Sequence, residues 1–581
     1  MADPVQYSVD LTDRIRHLVR VTVSVPTDLA PGARVTLPSW TPGSYVIRNY
    51  VHHVQQASAT DASGRPIELT MEGTASWRLP QQANGPVAVT LEIYGHELTV
   101  RTNHVDDHHA LLITAATFPL VDGARGRRHE VTVDAGGERV WSLLPDDGGV
   151  FVADDYDHLV DSAFEVGDHA HVSWSTAGVT HRFVWAGHGG HPDLERIARD
   201  GAMLTDEAVR LFEGDLPVVG DYTFLTVGWS AGGGGLEHRD GAVLMMPVTT
   251  FQDDERYATF QSLLTHEYLH LWNVKRLTPA ALVAPDYERP THSPSLWVAE
   301  GWTAYYDELL PARAGVWTLS RYLERTAKSI DGVLRSPAAQ LHSVRQASHE
   351  AWTKQYVRDE NSLNSTVNYY PHGSALAWAL DLELRRDDPA GPGLDGLLRS
   401  LWRRHGRTAE GYTEHDVMVA ASSAAGRDLD KWFQTHVGSP GVPPLEESMA
   451  IVGLALIDAQ EPLVVPWLGV SLEETDAAVT ISAVARGGPA WDAGISGGDI
   501  LLAVDGQQVL RGQVPQVLAA HAAGAVVELA VFRGPRLLTV PVTLAAPRPA
   551  RRLVRVDEPS DVQAEAFRAW IGSELGEVGA A

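Results

Sequence analysis

The chain has 581 residues, room for three to four domains at about 150 residues each, and its 44% hydrophobic and 21% charged content excludes global disorder. With 46 Lys+Arg against 74 Asp+Glu the net charge is −28, which sets phosphate backbones and anionic membranes against it as partners. There is no cysteine, so disulfides, thiolate metal sites, iron–sulfur clusters and cysteine nucleophiles are excluded, and the 25 histidines remain as borderline metal ligands.

The start, Met1-Ala2-Asp3-Pro4-Val5, has neither the basic nor the apolar segment of a secretory leader. No apolar run reaches the ~18 residues of a spanning helix, so a cytoplasmic protein is expected. Val19-Arg20-Val21-Thr22-Val23-Ser24-Val25 alternates apolar and polar with period two, and 34–37, 87–94, 130–133 and 171–174 repeat the pattern. Turn residues separate them (Pro31-Gly32, Asn84-Gly85, Gly136-Gly137). These spacings predict a β-sandwich to about residue 178. Residues 193–212 have helical spacing; 222–227 and 242–246 read as strands flanking a glycine loop. Beyond 253 the chain is mostly helical to about 440, with the clearest helices at 257–274, 294–310, 372–386 and 415–425. A Gly/Pro linker at 438–444 precedes a second β-rich module (strands 468–472, 478–484, 500–504 and 526–532). A Pro/Arg connector (545–552) and an amphipathic helix (560–575) close the chain.

The central motif is His266-Glu267-Tyr268-Leu269-His270, inside a helical pattern carried by Phe260, Leu263, Leu264 and Leu271. Residues four apart on a helix share a face, so both imidazoles can bind one zinc ion, with Glu267 placed as general base. A catalytic zinc needs a third protein ligand and an open position. Glu300, amid Trp297, Val298, Trp302 and Tyr305, is the candidate, because ligation would relieve the cost of an apolar setting. Asp307, seven residues on, lies near the same helix face and is a candidate to hold a ligating imidazole from behind.

The run His266–Arg276, followed thirty residues after His270 by Glu300-Gly301-Trp302-Thr303, resembles the glycyl aminopeptidase family, gluzincin zinc metallopeptidases. Trp40-Thr41-Pro42-Gly43-Ser44-Tyr45 resembles the N-terminal signature of that family. The resemblance implies a multidomain α+β protein. Its parts would be an N-terminal β-sandwich (1–178), a thermolysin-like mixed α/β and helical catalytic domain (179–440), a PDZ domain (450–545) and a C-terminal connector and helix (546–581). It gives the glycine loop a meaning. Gly233-Gly234-Gly235-Leu236-Glu237 resembles the exopeptidase loop in which Gly234 and Gly235 lie along substrate backbone and Glu237 binds the free α-amino group. It also assigns Tyr370, in Tyr369-Tyr370-Pro371-His372-Gly373, as hydrogen-bond donor to the oxyanion, with Tyr369 as fallback; His372 stands where those relatives have Lys. Trp467-Leu468-Gly469-Val470 resembles a PDZ carboxylate-binding loop, so Leu468, Gly469 and Val470 would receive a peptide C-terminus.

The expected activity is therefore a zinc aminopeptidase with one Zn2+ per chain, acting on peptides with a free N-terminus and, by resemblance, preferring Gly or Ala there. The rivals are a zinc endopeptidase and a PDZ adaptor with a vestigial peptidase domain. His104-Val105-Asp106-Asp107-His108-His109 lacks helical ligand spacing and reads as a polar loop; His188, His191 and His238 read as structural or solvent-exposed histidines. Lys275 and Arg276 read as partners for nearby acids.

Overall fold

In the computed structural model, residues 3–580 are described except 84, 188, 219, 409 and 461. Asn84 and His188, both singled out above, lie outside the described residues. The chain is a multidomain α+β protein with two compact units. One comprises residues 1–291 with 313–317 and 402–412; the other comprises 292–312, 318–401 and 413–581.

The first unit begins with three sheets. The largest runs through Val5–Asp10, Leu18–Val25, Val87–Tyr94 and Val54–Asp61, with His129–Asp134 parallel to the first of these. Alternate residues of Leu18–Val25 and Val87–Tyr94 are buried, as period-two patterning requires. The strand Ala170–Thr176 departs from the expectation. It pairs with Val179–Gly187 and opens a separate five-stranded sheet, continued by Tyr222–Trp229, Gly241–Pro247 and Gly234–His238. Periodicity identifies a strand but not its partner, and here the partner follows across a two-residue turn. The helix Leu194–Leu211 connects two parallel strands of this sheet and packs on Ala170–Thr176.

Asp254–Leu269 follows the sheet. Its start is set by Asp253, whose carboxylate accepts the N–H groups of Glu255 and Arg256, a cap worth about 1 kcal/mol. The helix stops short of the expected residue 274. The backbone bonding widens there: the Lys275 N–H reaches His270 O at 2.9 Å and the Leu277 N–H reaches Trp272 O at 2.7 Å. Trp272 stacks flat on Phe212 at 4.5 Å, which fixes this irregular turn.

In the second unit, the predicted helix at 294–310 is two segments, Leu296–Ala299 and Gly301–Arg313, with Glu300 between them. It crosses Tyr369–Leu384 at very close range: a Cβ on Gly301 would sit 2.4 Å from Gly373 Cα, and one on Gly373 would sit 2.7 Å from Trp297 O. The C-terminal connector is also not irregular. Arg551–Arg555 pairs antiparallel with Leu454–Asp458, and Asp561–Ile571 buries Trp570 against Tyr322 and Trp378. Trp570 Nε1 donates to Tyr305 OH at 2.8 Å, and that hydroxyl donates to Asp381 at 2.6 Å. The small β module is thus inserted between two neighbouring strands. Its own sheet runs Val470–Glu474, Val479–Val484, Ile500–Val504, Val526–Arg533 and Arg536–Thr543 around a core that includes Ile481, Leu529 and Val531.

Because Asp458 pairs with Arg551 and the Ala459 N–H bonds Ala550 O at 2.7 Å, the insertion's ends are already adjacent. Replacing residues 460–549 with a two-residue Asn-Gly turn should leave a single cooperative unfolding transition with a midpoint within a few degrees of the parent. The Asn364 side chain, which bonds Val484 O and the Arg486 N–H, would lose about 1 kcal/mol apiece for the two bonds. Loss of cooperative unfolding in calorimetry would show that the module is integral to the core.

Candidate active site

In the first unit, His266 and His270 stand one turn apart with ring centroids 4.6 Å apart. His270 is buried, and its Nδ1 lies 2.7 Å from Asn273 O. A carbonyl only accepts, so Nδ1 carries the proton and Nε2 keeps its lone pair, the state a metal ligand requires. The widened turn after Leu269 is what delivers that carbonyl.

The edge strand Gly234–His238 lies beside the motif helix, paired on one side with Gly241–Pro247. Gly235 and Glu237 share a face, being two residues apart on a strand. A Cβ on Gly235 would come within 2.1 Å of Glu267 Oε1, so the missing side chain is the space that Glu267 occupies. One carboxylate oxygen each from Glu237 and Glu267 and one nitrogen of His270 lie within 4.8 Å of one another. The strand is pinned from the N-terminal sheets by Arg101, whose guanidinium donates to Gly235 O at 3.1 Å.

Glu237 is buried too. Gly43, at φ +83°, lies against it so closely that a Cβ there would sit 2.6 Å from both carboxylate oxygens. Among the described residues Oε1 of Glu237 accepts no hydrogen bond, and Lys275 Nζ lies 4.0 Å away. Lys275 belongs chiefly to Asp161, at 2.7 Å. Burial pulls the Lys275 ammonium down, but Asp161 and then Glu237 outweigh it and leave it above its ordinary value. Burial likewise opposes ionisation of Asp161, and Lys275 and His238 hold it at about 2 regardless. Trp40, Gly43, Tyr45, Asp161, Glu237 and Lys275 are among the residues lining a cavity of about 340 Å³. Arg276, as expected, pairs an acid, Asp240, at 2.7 Å.

In the second unit, Glu300 is 2% exposed, and Asp307 on the following helix is also buried. The Gly301–Gly373 crossing sets the neighbourhood of Tyr370. Burial, and next the Glu300 charge, push its phenol well above the ordinary value, so it is a proton-bearing donor at neutral pH. Tyr356 OH lies 3.0 Å from Tyr370 OH and 3.1 Å from Tyr369 OH, a partner that local pattern did not reveal. His372 is buried, with Nδ1 donating to Asn368 O at 3.1 Å, and burial lowers its pKa to about 4. In the inserted module, Gly469 takes φ +83° between buried Leu468 and the strand beginning at Val470. His191 is exposed; His238 is buried, 3.4 Å from Asp161. Sequence reasoning missed Asp161, Asn273 and the contact of Gly43 on Glu237. The Trp-Thr-Pro-Gly run, unusual before a β-strand pattern, was the signal available for the last.

Gly235→Ala should keep the melting temperature within a few degrees yet lower any turnover that uses Glu267 by ~10²-fold or more, since a displacement of about 1 Å suffices for that. Parent-like turnover in the folded variant would detach Gly235 from Glu267.

Comparison with known families matches residues 259–376 to the M61 glycyl aminopeptidase model, 6–168 to the peptidase M61 N-terminal domain and 466–544 to a PDZ domain. No curated protein sequence matches the chain. Among solved structures, an aminopeptidase N family protein from Idiomarina loihiensis is similar at 27% identity and a TM-score of 0.92, over 98% of this chain and 100% of that one. An M1 zinc metallopeptidase from Deinococcus radiodurans is similar at 14% identity and a TM-score of 0.46, over 76% of this chain and 95% of that one, too loose a likeness to bear on chemistry. With its N-terminal, peptidase and PDZ matches falling in that order along one polypeptide, the chain belongs to the M61 glycyl aminopeptidase family.

Proposed function

We propose that the protein is a zinc-dependent aminopeptidase that removes the N-terminal residue of peptides, with one Zn2+ held by His266, His270 and Glu300. The observation that carries this reading is Glu237, a buried carboxylate with an oxygen that accepts no hydrogen bond, within 4.8 Å of donor atoms of Glu267 and His270. Asp161 and Glu237 against Lys275 leave one negative charge uncompensated, which a substrate ammonium would balance. The donor set fits zinc: with Nδ1–H held by Asn273 O, His270 has Nε2 as its ligand atom. Glu300, buried at the junction of two helices, is the third protein ligand in this reading. Since His270 already has its backbone partner, we assign Asp307 to His266.

When bound, zinc supplies Lewis acidity, acidifying water and polarising the scissile carbonyl. Glu267 takes the proton of the attacking water and returns it to the departing amine. Tyr370 donates to the developing oxyanion, a contact worth about 3–4 kcal/mol. Glu237 holds the substrate ammonium, so cleavage follows the first residue, and Gly234 and Gly235 let substrate backbone lie along the strand edge. The glycyl preference in the family's description supports small first residues, Gly or Ala. Leu468, Gly469 and Val470 of the PDZ domain would take a peptide C-terminus. No helix among the described residues is long and apolar enough to cross a membrane.

Glu267→Gln should retain zinc by elemental analysis and lose hydrolysis of aminoacyl amides by at least ~10²-fold; retained turnover would remove Glu267 as the base. Glu237→Ala should raise KM for free-amine substrates by ~10- to 100-fold, the worth of a charge-assisted hydrogen bond, with zinc content unchanged. Equal kinetics on acetylated and free peptides in the parent enzyme would favour an endopeptidase instead.

A further inference from the structure

We propose that His104, Asp106 and His109 form a second metal site, taking a divalent ion of the zinc, cobalt and nickel class. One ligand atom from each lies within 4.8 Å of the others. The segment expected as a polar loop has an exposed tip, Asp107-His108, but its flanks are buried. His104–Val105 pairs with Ala110–Ile113, placing His104 opposite Leu111, and His104 and His109 are 2% and 6% exposed.

Each ligand is held ready. Asp106 Oδ1 accepts the N–H groups of His108 and His109 at 2.8 and 2.9 Å, and Oδ2 faces His104 Nε2 at 3.2 Å. Among the described residues His104 Nδ1 has no hydrogen-bond partner, so no contact there competes for the tautomer that offers Nε2 toward Asp106. His109 Nδ1 lies 2.9 Å from Oε1 of Glu165, which is fully buried. In the neutral ring that proton leaves the Nε2 lone pair free, the carboxylate–imidazole–metal arrangement. The same Glu165 oxygen also bonds His169 Nε2 at 2.9 Å. The charge balances: Asp106 and Glu165 together offset a dication, and Arg14, the neighbouring cation, is doubly bonded to Glu138. Two imidazoles and one carboxylate select borderline transition ions over Mg2+ and Ca2+. A cavity of about 480 Å³, lined by His109, His169, Trp185 and Trp229 among others, gives the ion a way in without opening the hairpin.

The test uses the full-length chain carrying His266→Ala and His270→Ala, so its result does not depend on the peptidase reading. This chain should bind one equivalent of Co2+ with visible d–d absorption. Asp106→Asn, which preserves shape and can still accept the two N–H groups, should weaken that binding by more than tenfold. No cobalt binding, or binding indifferent to Asp106→Asn, overturns the site. If the double variant does not fold, zinc in the otherwise unaltered protein is counted instead: His109→Gln should remove one equivalent, and an unchanged count overturns the proposal.

Discussion

Burying charge is the constraint this structure answers to. Glu237, Glu267, Asp161 and Lys275 are taken out of water within one unit, and Glu300 in the other. An uncompensated buried charge costs several kcal/mol, so each must find an opposite charge, a donor or an ion. Asp161 and Lys275 satisfy one another. Among the described residues Oε1 of Glu237 is left without a donor, and the proposed capture of a substrate ammonium uses capacity of that kind. The backbone is arranged to bring them close: at Gly43 and Gly235 a Cβ would collide with a carboxylate, and at Gly301 and Gly373 one would collide with facing backbone. Four glycines thereby set distances that no side-chain choice could.

Much of this was legible in the sequence because the signals are local. The motif helix has its cap at Asp253 and its ligand spacing within one stretch. Glu237 could be singled out because a run of four glycines, 232–235, lies just before it. What stayed hidden depends on residues far apart. The alternation at 171–174 marks a strand, yet its place in the five-stranded sheet comes from pairing with residues beyond it. Arg551–Arg555 reads as a connector since three of its five residues are arginine and prolines precede it; its structure is supplied by Leu454–Asp458, nearly a hundred residues earlier. The His104–His109 segment looks polar on any hydropathy scale. Its His109 is buried because Glu165, alone among apolar neighbours in Ala163–Val166, waits for it across the sheet.

The topology of the C-terminal region sets the PDZ module apart from the helices around Glu300. The PDZ module enters and leaves through adjacent strands, so its addition leaves the ladder between Leu454–Asp458 and Arg551–Arg555 intact. The chain then returns to the helices, where Trp570, Tyr305, Asp381 and Arg385 form a buried chain of hydrogen bonds behind the helix that follows Glu300. The tail therefore buttresses the helix that follows a candidate ligand, while the inserted segment touches that framework at Asn364 and at Arg335, which donates to Arg548 O and Pro549 O.

His372 sharpens what this site can do with protons. The resemblance that assigns Tyr370 implies a lysine here, a permanent cation near the oxyanion donor. The histidine does not replace that charge. Burial holds it at about 4, its Nδ1–H is committed to Asn368 O, and at neutral pH the ring is uncharged. Because its folded value lies below the unfolded one, the neutral ring favours the fold above about pH 6.5, and that contribution is lost as pH falls toward 4. A kinetic transition near pH 6 to 7 would then belong to another group. In the proposed reaction, balancing oxyanion charge would then fall to the phenol of Tyr370 and to the ion assigned to His266 and His270.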